Sequence, residues 1–174
     1  MAQASPLETS INATFAQPVV LGAGEASESL SIMLRALEVA GGDEFAVSIL
    51  MLNADGKTLR CVAAPSLPKT YNDSIDGIEI GPCAGSCGTA AFTGRAVFVA
   101  DIENSEYWAD FKDLALAHGL KACWSTPIED WEGKVIGTFA VYHHTPRSPT
   151  PAEIQAVGLA SHALTPLLIN QVRN

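Results

Sequence analysis

Four cysteines and a few histidines carry most of the reactive chemistry available to this chain of 174 residues. Cys87 lies in the run Gly85-Ser-Cys-Gly88 at the expected start of a helix. Unpaired amides and the helix dipole at such a place favour an anion and depress a thiol pKa. A buried cysteine is equally a small hydrophobe that allows tight packing, and Ser86 reads as an N-cap. Both readings of Cys87 stay open, a reactive or ligand-touching thiol and a packing residue. Cys83 and Cys87 have a wider spacing than the Cys-x-x-Cys of zinc knuckles, and no second Cys or His pair has ligand spacing, so no metal site is expected. A sulfenate or disulfide switch among Cys83, Cys87 and Cys123 fits better, because redox sensing needs an accessible thiol beside a resolving one. His118 shares a helical face with Trp108 and Phe111, placing it to touch a ligand or an iron, or simply to close a helix C-terminus. His143 and His144 read as a solvated strand end. The chain has no Cys-x-x-Cys-His, Gly-x-Ser-x-Gly, Gly-Lys-Ser/Thr or His-Glu-x-x-His run, so no catalytic residue is assigned and no cofactor can be named.

Composition narrows the partners. Ten Lys and Arg against nineteen Asp and Glu leave a formal charge of -9, with no basic stripe to follow phosphates, so nucleic acid is not an expected partner. Apolar runs break well before the roughly 20 residues a bilayer needs, and the N-terminus lacks the pattern of an export signal. The few cysteines then read as free thiols, and a cytoplasmic location away from membranes is expected.

The elements that must position these residues follow from periodicity. Residues 1–22 are polar and small and read as a flexible N-terminal arm or frayed helix, with one domain over residues 23–174. Leu30, Met33, Leu34 and Leu37 recur at helical spacing up to Gly41-Gly42. Phe45–Leu52 and Thr58–Ala64, joined by Asn53-Ala-Asp-Gly56, read as a hairpin. A loop with Pro65 and Pro68, a short strand at 78–80, a helix from about Ser86 and a strand at 96–100 come next. One helix runs from an N-cap at Ser105 to Gly119 and presents Trp108, Phe111, Ala115 and His118 on one side. Cys123–Ile128 and Val135–Tyr142 form a second hairpin around Asp130-Trp-Glu-Gly133. Thr150-Pro-Ala-Glu153 is a capping box with proline at the first helical position, and Pro166 should kink the helix it opens. That helix carries two apolar stripes, one through Ile154, Val157, Leu164 and Leu168 and another through Leu159, Ala160, Ala163 and Leu167. The order of elements is α+β with an antiparallel sheet.

Several blocks then match a known pattern in order: Leu67-Pro68, Tyr71-Asn72, Ile75-Asp-Gly77, Ile80-Gly-Pro82, Gly85-Ser-Cys-Gly-Thr-Ala-Ala91, Val97-Phe-Val-Ala-Asp-Ile102, His118-Gly-Leu-Lys-Ala-Cys-Trp-Ser-Thr-Pro-Ile128 and Gly137-Thr-Phe139. They resemble the GAF domain of bacterial histidine kinases, cyclic-di-GMP enzymes and related regulators, over nearly the whole chain. The resemblance implies a central antiparallel sheet of five or six strands, terminal helices on one face and a small-molecule pocket on the other. The implied ligand-binding set is Tyr71, Ser86, Cys87, Trp108, Phe111, Leu114, His118, Trp124 and Phe139, with Tyr142 among the strand aromatics. The family's cyclic-nucleotide signature is absent, and Cys123 is followed by Trp124 where bilin attachment uses Cys-His.

The implied function is a non-catalytic sensor of a small-molecule effector. It would be a homodimer through the N- and C-terminal helices, coupled to a kinase or cyclase output domain or a partner. A thiol redox sensor using Cys83, Cys87 and Cys123 is one alternative. A free methionine-R-sulfoxide reductase is another, since Gly85-Ser-Cys-Gly88 resembles the turn holding one of that enzyme's cysteines. Its attacking Cys would fall where this chain has Leu114, Ala115, Leu116 and Ala117.

Overall fold

Two turns that are legible residue by residue organise the sheet in the computed structural model, which describes residues 3–19 and 26–172. In the first, Asp55 Oδ1 accepts from the amides of Lys57 (2.7 Å) and Thr58 (3.0 Å) and reverses the chain between β1 (Ala46–Leu52) and β2 (Leu59–Ala63). In the second, Asp130 Oδ1 accepts from Glu132 and Lys134, both at 2.9 Å, and joins β4 (Ala122–Glu129) to β5 (Val135–His143). With β3 (Val97–Val99) the five strands lie in the order β2-β1-β5-β4-β3, and every pairing is antiparallel. The α+β order and antiparallel sheet expected from the sequence are the ones observed. β1 and β5 are buried along almost their whole length, because layers cover both faces.

One face carries three helices, α1 (Pro6–Thr14), α2 (Ala26–Ala40) and α6 (Pro151–Val172). They bury Leu30, Leu34, Leu37, Val157, Leu164 and Leu168 against Val47, Ile49, Trp124, Phe139 and Val141 of the strands. The capping box forms: Glu153 N donates to Thr150 Oγ1 at 3.2 Å and Thr150 N to Glu153 Oε2 at 2.9 Å. α6 continues past Pro166 to Val172, tied to β4 where Ser161 Oγ and Thr165 Oγ1 donate to the carbonyls of Pro127 and Glu129. By length and composition Pro151–Gln171, at mean hydropathy 1.2, would suffice to cross a bilayer, which counting uninterrupted apolar runs did not show. Here its apolar side meets the sheet instead.

The expected arm is corrected in part. Ser5 caps a helix there, its Oγ accepting from Glu8 N at 3.2 Å, and Leu7 and Ile11 are buried between α2 and α6. The stripe Leu7, Ile11, Phe15 is too short to hold a helix by itself, so docking stabilises it. Residues 1, 2 and 20–25 lie outside the described part.

The opposite face is capped by short pieces: α3 (Lys69–Ile75), α4 (Gly85–Thr93), a single 3-10 turn at Glu106–Trp108 and α5 (Lys112–Ala117). Three sequence expectations change here. The segment read as a loop after Pro65 contains α3, which starts directly after Pro68 without a side-chain cap. Ile78–Ile80 is no full strand; it makes one bridge, Thr58 with Glu79, along the edge of β2. The helix expected from Ser105 to Gly119 is two pieces, the turn at Glu106–Trp108 and α5, and Ser105 makes no side-chain capping bond among the described residues.

Candidate functional site

The site is assembled around the first turn of α4. Gly85 enters it at φ +66, a conformation that side chains rarely adopt, and a Cβ on Gly88 would sit 2.6 Å from the Ala84 Cβ. Ser86 is not the N-cap expected from its position; Ala84 occupies that place, and Thr89 Oγ1 accepts from Ala84 N at 3.0 Å. Ser86 is instead a bridge. Its Oγ donates to the Cys123 carbonyl at 2.9 Å and accepts from Trp108 Nε1 at 3.0 Å, so one fully buried hydroxyl locks α4, β4 and the covering turn together.

This lock brings the Cys87 turn onto the Cys123 strand, the two residues pack in one buried cluster, and both thiols are free. The nearby Cys123, with the hydroxyls of Ser125, Thr138 and Tyr142, holds the Cys87 pKa below the usual thiol value against the cost of burial. Burial, with Cys87 next to it, pushes Cys123 far above. The pair is therefore asymmetric. Cys83 stands apart as an exposed thiol, and burial moves Cys61 up to about 11.

Above the thiols, the Tyr71 and Tyr142 hydroxyls meet at 3.0 Å with their rings edge to face, and burial raises the pKa of both well above normal. Leu50, Ile75, Ile78, Trp108 and Phe111 complete an apolar wall. The free room between these side chains is about 20 Å³, a little more than the ~10–15 Å³ that one water requires. The expected hollow is thus nearly filled by its own lining in this conformation.

Of the nine residues expected at the site, Tyr71, Ser86, Cys87, Trp108 and Phe111 line this cavity. Leu114 packs into the same apolar cluster, and His118 sits at the rim, its ring 5.9 Å from that of Tyr71. Trp124 and Phe139 do not belong to it. Side chains alternate along a strand, and Cys123 with Ser125, like Thr138 with Ala140, face α4, so Trp124 and Phe139 point to the terminal helices. There Trp124 Nε1 donates to the Arg147 carbonyl at 3.0 Å, and its ring packs 4.3 Å from His143. His143 is buried rather than the solvated strand end its sequence position suggests.

Sequence reasoning missed three polar residues on the cap face of the sheet. Ser48, Ser125 and Thr138 are fully buried, and their hydroxyls have no hydrogen-bond partner. Their signal was parity: once Cys123 faces α4, so must Ser125, and the β1-β5-β4 register then brings Ser48 and Ser125 to either side of Ala140.

Comparison with known proteins agrees with this architecture. The sequence pattern of the GAF domain matches residues 25–168. Over 110 residues the chain is 36% identical to the methyl sulfide methyltransferase-associated sensor of Methanosarcina acetivorans, an overlap covering 63% of this chain and 11% of that protein. The chain therefore spans only a small part of that relative's length. A Sinorhizobium meliloti domain assigned to a two-component sensor histidine kinase superposes with a TM-score of 0.63 at 25% identity, covering 86% of this chain and 94% of the other. The type II free methionine-R-sulfoxide reductase of Thermoplasma acidophilum gives 0.64 at 16% identity, covering 83% and 93%, a likeness of fold alone. A five-stranded antiparallel wall with three helices behind it and a capped pocket before it, together with a pattern matched from residue 25 to 168, places this chain in the GAF domain family.

Proposed function

We propose that this GAF domain is a non-catalytic sensor module that takes a small effector between the sheet and the cap formed by α3, α4 and α5. The observation that carries this reading is a set of three buried hydroxyls without partners among the described residues, Ser48, Ser125 and Thr138, on the sheet face that bears Tyr142 of the cavity. Unsatisfied buried donors cost free energy, so a site that leaves them open is suited to a ligand with matching acceptors. The cap must swing outward for anything larger than water to enter. Effector affinity is then reduced by the fraction of molecules already open.

Signal output follows from the shared wall. Cys123, Ser125 and Tyr142 face the effector, while Trp124, Phe139 and Val141 on the same strands face α1, α2 and α6. A shift of β4 or β5 reaches the terminal helices through one sheet thickness, and it biases them only where the two arrangements differ in effector affinity. Those helices expose Ile32, Val39, Ile154 and Leu159, which are 42–66% accessible, and we assign them to a homodimer that couples to a kinase or cyclase output domain. The reading places the chain in the cytoplasm.

Native mass spectrometry of the purified protein tests it. A retained or added small molecule, weakened by Tyr71→Phe, is expected on a dimer. Protein that stays ligand-free across a metabolite library, with no thermal shift, would overturn the effector reading, and a monomer by light scattering at high concentration would overturn the relay.

A further inference from the structure

We infer that Cys87 and Cys123 form a peroxide-responsive thiol pair, in which Cys87 reacts first with a small hydroperoxide and Cys123 resolves it to an intramolecular disulfide. This goes beyond effector sensing and does not depend on it.

Three observations converge. Ser86, the neighbour of Cys87 in α4, is bonded to the Cys123 carbonyl at 2.9 Å, and both cysteines pack in one buried cluster. Only Cys87 lines the cavity; Cys123 is fully buried behind it, so an oxidant entering from the cap meets Cys87 first. Beside this geometry, Cys123 first and then the Ser125 and Thr138 hydroxyls lower the Cys87 pKa to about 7 against the cost of burial, while burial pushes Cys123 far above the usual thiol value, so Cys87 is the thiol that ionises. The cavity's room for about one water-sized molecule selects hydrogen peroxide over bulky hydroperoxides.

The chemistry balances. The Cys87 thiolate attacks one peroxide oxygen, and the O–O bond breaks. The departing oxygen takes up the proton that Cys87 released and leaves as water, or as an alcohol from an organic hydroperoxide. Sulfur is oxidised to sulfenic acid and the peroxide is reduced. The Cys123 sulfur then attacks the sulfenic sulfur; the S–O bond breaks, and the hydroxyl leaves as a second water with the Cys123 proton. Cys83, although exposed, takes no part.

Oxidation of the intact chain with hydrogen peroxide, followed by intact-mass measurement and peptide mapping, tests this. The expected product has lost two hydrogens and yields a Cys87–Cys123 linked peptide, at a rate unchanged by Cys83→Ser or Cys61→Ser. Cys123→Ser should stop at a dimedone-trappable sulfenate on Cys87, and cumene hydroperoxide should react at least about tenfold more slowly. The inference is overturned if dimedone labels Cys83 first, if the disulfide contains Cys83, or if wild-type Cys87 and Cys123 remain alkylatable after peroxide. Because the readout is the wild-type peptide map, a variant that fails to fold does not blur it. Effector retention with inert thiols defeats this inference alone, and the linked peptide in a ligand-free protein defeats only the effector reading.

Discussion

The two faces of one sheet are built to opposite specifications. Toward the terminal helices stand Val47, Ile49, Trp124, Phe139 and Val141, large side chains in a continuous apolar layer. Toward the cap stand Ala46, Ser48, Ser125, Thr138, Ala140 and Cys123, small side chains with unpaired hydroxyls and one thiol, beside the larger Leu50 and Tyr142. The first arrangement gains free energy from buried apolar area and close contact. The second leaves polar groups open and a small void, so it gives up stability to keep a site that can respond. Stability and responsiveness thus share a backbone but not a surface.

The largest effect expected from probing this contrast is on the helix side. Phe139→Ala should lower unfolding free energy by about 3–5 kcal/mol in denaturant titrations, since the ring is fully buried. A loss below about 1 kcal/mol would erase the distinction between the faces.

His143 comes next, at the end of the same strand. Burial, with Arg147 adding to it, lowers its pKa from 6.5 to about 4. The folded protein therefore resists protonating a ring that the unfolded chain protonates freely. Its contribution is complete above pH 6.5 and is lost as pH falls from there toward 4, by up to about 3 kcal/mol. Melts across that window should show a steeper acid limb in the wild type than in His143→Phe.

On the cap side, Ser86→Ala should cost about 1–3 kcal/mol, because it strands Trp108 Nε1 and weakens the anchoring of the Cys123 carbonyl. It should also slow disulfide formation between Cys87 and Cys123. The smallest effect sharpens the contrast most: Ser125→Ala removes a hydroxyl that has no partner and should be neutral or stabilising within about 0.5 kcal/mol. A marked loss of stability there would mean that the hydroxyl is structurally paired.

How much of this was legible depends on how local the physics is. The capping box at Thr150 and Glu153 and the Asp55 and Asp130 turns were readable because side chain and backbone partner lie within four residues. α3 was hidden because Pro65 and Pro68 mimic a loop and no capping side chain announces it. Trp124 and Phe139 were assigned to the pocket by residue type, yet which face a strand residue takes depends on register, and a shift of one residue exchanges the faces. Ser86 had the right type for an N-cap; its partners, Trp108 and the Cys123 carbonyl, are 22 and 37 positions away.

The amino-acid order alone determined the two antiparallel hairpins, the capped α6 and the glycine-bearing turn that presents Cys87, because each rests on interactions within a few residues. Only the tertiary structure decided that Cys87 packs with Cys123 rather than Cys83, that Ser86 is a bridge, and that Ser48, Ser125 and Thr138 share one face of the sheet. Those outcomes depend on strand register and on layers closing over both faces, and such long-range contacts leave no periodic trace in the chain.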